Sequence, residues 1–441
     1  MRDERGQALP LVAALSVILL AMMAVAIDIG YAYSVRQALQ ASTDAAATAA
    51  AQELTVAGGN PSSKATDFGM GAGNKNARAA ITGVTTTTAV KCTNYMANLM
   101  TGAGCTSSTV PANTVTVTQR APVSLFFGPI IGRRTLNVVT TATAGARGGA
   151  MPPLDVMIVL DTTGSMGGSC SATVAGVSNP TRLDCAKAGI RTLLSAMWPC
   201  SNSQANCGAA TGGHVANPID EVGLAVFPGL KATTALSKEF DCAQNVGSAG
   251  ISPYGSSPVY VIAPLSSDYK PSAFGALAGA TSNMVKAVDW ADGNTCGSGS
   301  YGAENPGGQG SYFAGVITAA QAALVSGGRA NVQNVIIFVS DGDANKYTGG
   351  PNNPCQLAIN AATTATAAGT WVYSVAYGAS TSATGSCVND SPRISAYSTM
   401  SQIASDSKKF FSQPSSGDLT AAFRQIGQSL LTTRLLDDGT L

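Results

Sequence analysis

Charge is scarce in this chain of 441 residues: Asp, Glu, Lys and Arg make up 11% of it, against roughly 25% in ordinary soluble domains. The 25 basic and 24 acidic side chains leave a formal charge of +1, so there is no basic field to hold a nucleic-acid backbone. Histidine occurs once, as His214. With no partner histidine it is expected to sit in a polar loop, 208–217, and a Ser/His/Asp relay is not indicated. No G-x-x-x-x-G-K phosphate loop is present, and no two cysteines stand as C-x-x-C, which argues against a zinc site or a thioredoxin-like motif. Asp161-Thr-Thr-Gly-Ser165 resembles the Asp-Thr-Gly loop of aspartic proteases only superficially. An extra Thr breaks the spacing, and there is no second such loop to share a proton. The chain is therefore not expected to be an enzyme, a hydrolase being the remote alternative.

Cysteine, by contrast, is plentiful. The count is 10, and Cys170, Cys185, Cys200, Cys207, Cys242, Cys296, Cys355 and Cys387 lie in or beside loops rich in Gly, Ser and Asn, with Cys92 and Cys105 in an earlier polar stretch. An even count in such surroundings predicts disulfides and an oxidising compartment; the alternative is a set of buried thiols in the cytosol.

Residues 6–27 carry no charge, and at ~1.5 Å per residue a helix of that length reaches ~33 Å, enough to cross a bilayer's hydrocarbon core. Arg2 and Arg5 precede it, so the positive-inside rule places the bulk of the chain on the extracytoplasmic side. A cleaved signal peptide, with Ala24-Val25-Ala26 at the cut, is the alternative. Beyond Asp28 the helical pattern continues: Tyr31, Val35, Ala38, Leu39, Ser42, Ala45 and Ala46 keep a three-four spacing, with Arg36, Gln37, Gln40 and Asp44 on other faces. The Arg5-Gly6 opening, Pro10, the exit at Ala26-Ile27-Asp28-Ile29-Gly30 and the Asp44-Ala-Ala-Ala tract resemble the TadE/TadG-like (tight adherence, Flp pilus) family. That resemblance implies a single-pass bacterial membrane protein whose partners belong to the pilus or envelope machinery. One departure stands out. Leu11 occupies the place where pilins cut by prepilin peptidase carry Glu, counting from Gly6.

Residues 55–150 are rich in Thr, Gly and Ala. Alternating runs at Thr114-Val-Thr-Val-Thr118 and Leu136-Asn-Val-Val-Thr140 predict strands of a small α+β segment packed on the helix. Chain order thus divides into residues 1–54, the spanning and amphipathic helix; 55–150, the small segment; and 151–441.

In the last part an apolar run, Leu154 to Leu160, ends in Asp161-Thr162-Thr163-Gly164-Ser165. A second run, Val335 to Val339, ends in Ser340-Asp341-Gly342. Helical patterns such as Ile190-Leu193-Leu194-Met197, Ile317-Ala320-Leu324 and Leu419-Phe423-Ile426-Leu430 alternate with them, predicting an α/β fold with a doubly wound, mostly parallel sheet. Ligands of such sheets bind at the strands' carboxyl ends, where both aspartates fall. Asp161 with the hydroxyls of Thr163 and Ser165 offers three hard oxygens, and Asp341 offers a second carboxylate.

This arrangement resembles the metal-ion-dependent adhesion site of von Willebrand factor A domains. It implies a bound Mg²⁺, or Mn²⁺ or Ca²⁺, held by Asp161, Thr163, Ser165 and Asp341 and by a hydroxyl ahead of a later helix, for which Ser311 is the candidate. An alternative register puts Gly310 there instead. Asp343 is expected to be a solvated loop carboxylate. Two functions stay open: a binder whose metal takes a carboxylate from a protein partner, and a rigid metal-independent scaffold of the pilus machinery.

Overall fold

The computed structural model describes residues 8–54, 59–91, 93–94, 99–100, 114–145, 153–174, 177–200, 206–239, 246–252, 256–289, 302–303, 310–327, 329–340, 342–347, 352–382, 385–413, 419–431 and 434–436. The chain folds as two compact units that divide at residue 150, with the C-terminal residues from 431 belonging to the first.

The first unit is built on α1 (Ala8–Glu53), 46 residues long and so ~69 Å by the usual rise. Its early turns are apolar on every side. Leu11, Val17, Leu20 and Met22 are each more than half exposed, and an 18-residue window has a mean hydropathy of 2.6 with 6% of it buried. A helix apolar all round and bare of protein neighbours suits a lipid surrounding, so this segment is compatible with a single membrane pass. From Asp28 onward one stripe becomes buried, including Val35, Leu39, Ala46, Ala47 and Ala50. The alanines matter because their short side chains let the helix lie close to a sheet.

That sheet holds β1 (Thr85–Lys91), β4 (Thr114–Ser124) and β5 (Thr135–Gly145), all antiparallel. A two-residue pair, β2 (Thr93–Asn94) with β3 (Leu99–Met100), stands apart from it, and a short helix α2 (Pro61–Asp67) is capped by the Asn60 side chain. Alternate residues of the long strands turn inward: Val115, Val117, Ala142 and Ala144 pack on Ala46, Ala47, Ala50, Ala51 and Leu54. Nearer the apolar end, Ala121, Val123 and Val138 pack on Val35 and Leu39. The boundary expected at residue 54 therefore separates no two bodies, because the helix is one layer of the small α+β core. A strand at Arg434–Leu436 pairs with β5, so the expected 151–441 domain gives up its last residues to the first unit.

The second unit contains a six-stranded sheet. β6 (Leu154–Asp161) is flanked by β7 (Glu221–Leu230) and β9 (Gln333–Ser340), and the order continues outward to β8 (Val259–Ser266) beyond β7, and to β10 (Trp371–Tyr377) and then β11 (Phe410–Gln413) beyond β9. All pairings are parallel except β7 with β8. Every residue of β6 and β7 is buried, as parallel strands covered on both faces require.

One face carries α5 (Phe313–Ser326), α6 (Pro354–Ala367) and α7 (Ala396–Ile403), whose apolar sides join Met157, Val159, Ile336 and Phe338 in one core. On the other face α3 (Arg182–Ala196) meets α8 (Leu419–Leu431) so closely that a Cβ at Gly189 would lie 2.3 Å from the Phe423 ring. The Ser429 hydroxyl of α8 bonds the Tyr373 hydroxyl of β10 at 3.1 Å. A five-residue helix, α4 (Asn283–Ala287), completes the list. The chain thus goes from β6 to β7 on one side of the sheet and returns to β9 on the other, which makes the carboxyl ends of β6 and β9 the topological switch point.

Among the described residues three disulfides staple this unit: Cys170–Cys185, Cys200–Cys207 and Cys355–Cys387. Cys92, Cys105, Cys242 and Cys296 lie outside the described residues. The third disulfide spans 32 residues and pins the first turn of α6, where the buried Asp390 carboxylate also accepts the amides of Cys355 at 2.9 Å and Gln356 at 2.8 Å. Burial pushes the Asp390 carboxyl up, and these amides pull it back. Replacing both Cys355 and Cys387 by Ala should cost about 3 kcal/mol through the freed unfolded chain. A lower denaturation midpoint, followed by fluorescence of the tryptophans, all in this unit, checks it.

Candidate metal centre

Asp161 ends β6 fully buried, and its two oxygens face different elements. Oδ1 accepts the Thr163 amide at 2.8 Å and the Thr163 hydroxyl at 2.6 Å. Oδ2 accepts the Ser340 hydroxyl at 2.6 Å. The Thr163 and Ser165 hydroxyls are 2.9 Å apart. The turn that places them is a 3₁₀ turn, Gly164–Gly167, directly after Thr163, while the Thr162 amide and hydroxyl both donate to Phe227 O of β7, at 2.9 and 3.1 Å. A carboxylate and three hydroxyls therefore converge at the switch point, with Asp161 and Ser340 buried and Ser165 open to solvent.

Ser311 is buried ahead of α5 and is tied by its backbone to the loop that follows β9. Its amide donates to Asn345 Oδ1 at 2.8 Å, and its carbonyl accepts the amides of Asn345 at 3.0 Å and Lys346 at 3.2 Å. Gly310 has φ +81°, and a Cβ there would meet Asn345 Oδ1 at 2.5 Å. Its service is thus to the backbone, in a conformation and a space that suit glycine. Beneath this edge the rings of Phe227, Phe313 and Phe338 pack with centroids 4.8 to 5.7 Å apart. They lock β7, the start of α5 and β9 into one frame.

Of the expected ligands, then, Asp161, Thr163 and Ser165 are brought into direct contact, Ser311 is placed on a loop stitched to the segment after β9, and Asp341 lies outside the described residues. Ser340 was missed by sequence reasoning. The available signal was strand register: Leu160 pairs with Val339, so the residues that follow, Asp161 and Ser340, are neighbours. Asp343 differs from its expectation, since its carboxylate accepts the Ser386 amide. His214 sits in the expected loop, where its Nδ1 is 2.7 Å from Oε1 of the buried Glu221 and two backbone bonds join it to Thr211.

The donor set is oxygen only, has one full negative charge in Asp161, and opens to solvent at Ser165. That chemistry suits a hard divalent cation and suits soft metals poorly. Among the described residues no group of three or more His, Cys, Asp or Glu side chains is gathered that could hold a metal, so such an ion would depend on hydroxyls.

Residues 6–53 match the family model for putative Flp pilus-assembly TadE/G-like proteins. The N-terminal helix is accordingly TadE/G-like, which supports an association with pili. No curated protein matches the chain at a significant level. Among solved structures, the chain is similar to the pilus adhesin SpaC from Lactobacillus rhamnosus GG in its open conformation, with 11% identity over 74% of this chain and 33% of that one and a TM-score of 0.38. It is also similar to the pilus adhesin RrgA from Streptococcus pneumoniae, with 11% identity, 79% and 49% coverage and a TM-score of 0.32. A third similarity is to the tip pilin GBS104 from Group B Streptococcus agalactiae, with 9% identity, 79% and 69% coverage and a TM-score of 0.34. The chain spans about a third of the length of SpaC.

Proposed function

We propose that the second unit is a doubly wound von Willebrand factor A-like domain that binds a protein partner of the pilus or envelope machinery through a divalent cation, Mg²⁺ or alternatively Mn²⁺ or Ca²⁺. In this reading α1 anchors the chain in a bacterial membrane with its bulk extracytoplasmic, a compartment in which the three disulfides persist. The observation that carries the reading is the convergence of Asp161, Thr163, Ser165 and Ser340 at the carboxyl ends of β6 and β9. Thr163, Ser165 and Ser311 would supply neutral oxygens, and Asp161 and Asp341 the charge. The ion would supply an electrophilic open position for a partner's Glu or Asp.

The scaffold reading is favoured by a different observation. Both Asp161 oxygens accept hydrogen bonds from the chain itself, which gives this carboxylate a structural part in tying the ends of β6 and β9 together. Catalysis is not proposed. A pull-down from solubilised envelopes, with the full chain as bait in Mg²⁺ and again in chelator, separates the two. Partners captured only in Mg²⁺ support the adhesion site, and the same partners in both support the scaffold.

A further inference from the structure

The hairpin between β4 and β5 ends in an apex that is apolar where a water-facing turn would be polar. Phe126 is 64% exposed, Ile130 82% and Ile131 76%. Arg133 and Arg134 follow, both exposed, and no acidic residue occurs between Arg120 and Gly145. The apex has a fixed height along α1. The Asp28 carboxylate, buried, accepts the amides of Phe126 at 2.7 Å, Phe127 at 3.1 Å and Gly128 at 2.8 Å, and the Tyr31 ring lies 5.1 Å from that of Phe126. Contacts farther along the helix run in order, Val35 and Leu39 with Val123 and Val138, then Ala46 to Leu54 with Val115 and Ala144. The apex is therefore the end of the first unit nearest the uncharged stretch that closes at Ile27.

We infer that this apex is a bilayer contact: Phe126, Ile130 and Ile131 enter the interfacial layer beside α1, while Arg133 and Arg134 meet the phosphates of anionic phospholipid. The inference rests on reading α1 as a membrane anchor. Two features select lipid as the occupant. The apolar apex is continuous with the exposed apolar surface of α1, where Ile27 is 51% and Ile29 63% exposed, and the hairpin's own charged side chains beside it, Arg133 and Arg134, are both positive and complement anionic lipid. The three amide bonds to Asp28 give the hairpin little freedom to swing away, so the helix and the apex form one footing with two points of contact.

The test uses the full chain carrying Ile130→Trp, reconstituted into phosphatidylcholine–phosphatidylglycerol vesicles with and without acyl-brominated lipid, with the unsubstituted chain as the tryptophan background. Phe126→Trp serves as a second reporter that keeps a ring against Tyr31. Brominated lipid should quench the added fluorescence by about twofold or more, as burial at interfacial depth implies, and quenching should weaken in pure phosphatidylcholine. Vesicle flotation without quenching at either reporter overturns the inference and leaves the anchor standing, the more so if the apex instead mediates self-association. Failure to float with vesicles overturns the anchor and the inference together. Quenching indifferent to phosphatidylglycerol overturns the role of the two arginines.

Discussion

If the proposed cation binds, replacing Asp161 by Ala should weaken Mg²⁺ or Mn²⁺ binding by about 100-fold or more, since loss of an outer-shell partner alone costs about 10- to 100-fold and Asp161 would also supply charge to the ion. Its Oδ1 holds the Thr163 hydroxyl and its Oδ2 the Ser340 hydroxyl, so one substitution removes the charge and releases both neighbours. The folded state should lose about 1–3 kcal/mol for donors left without an acceptor. Thermal melts in chelator measure that cost apart from affinity. Thr163→Ser keeps the hydroxyl and should be nearly silent. Thr163→Val keeps the shape but loses the oxygen that bridges Asp161 and Ser165, and should weaken binding by about tenfold. Ser311→Ala should match Thr163→Val if that hydroxyl is a ligand and do nothing if the loop serves only through its backbone. Calorimetric titration of the full chain in detergent reads each value. Absence of any heat from the unsubstituted, folded chain removes the adhesion-site reading.

The parts of this molecule that were legible in the sequence are those where one physical demand dominates a run of residues. The uncharged stretch before Asp28 and the three-four stripe after it read as one helix, and α1 is one helix. The Thr/Val alternations read as strands and lie in the first halves of β4 and β5. The two apolar runs are β6 and β9, neighbours and parallel. At the site, Asp161, Thr163 and Ser165 are close in sequence and were found together. Ser340 is 179 residues away, and only strand register brings it there. Asp28 was legible as the end of the apolar run but not as the acceptor of three amides about 100 residues later. A side chain's distant partners leave no local trace. The same holds for His214 and Glu221, and for the buried charges at the opposite edge of the second sheet.

At that edge, where β6 and β7 begin, Arg329 should prove the costliest single side chain to remove. Its Nε and Nη2 donate to Asp155 Oδ1 at 3.0 and 2.5 Å, Nη1 donates to Pro218 O at 2.6 Å, and Nη2 also reaches Leu154 O and Ile219 O. Glu221 Oε2 lies 3.6 Å from Nε. Asp155 is fully buried and Glu221 nearly so. Arg329→Met would fill much the same volume yet leave Asp155 buried without its cation and Glu221 with His214 alone as an ionisable partner, a change worth about 3–5 kcal/mol of destabilisation. The pH dependence identifies the cause. Burial raises the Asp155 carboxyl above its ordinary value, Arg329 pulls it down, and Glu221 pushes it up. Because its folded value is raised, the group's contribution to stability is fully present below the unfolded value and is lost as pH rises through the folded one. Without Arg329 the folded value rises further and the loss continues to higher pH. Denaturation of the two proteins should therefore show a gap that is widest near neutrality and narrows as pH falls, because a protonated Asp155 no longer needs the guanidinium. A gap that stays constant with pH would mean that Arg329 acts by packing and backbone bonds rather than by charge.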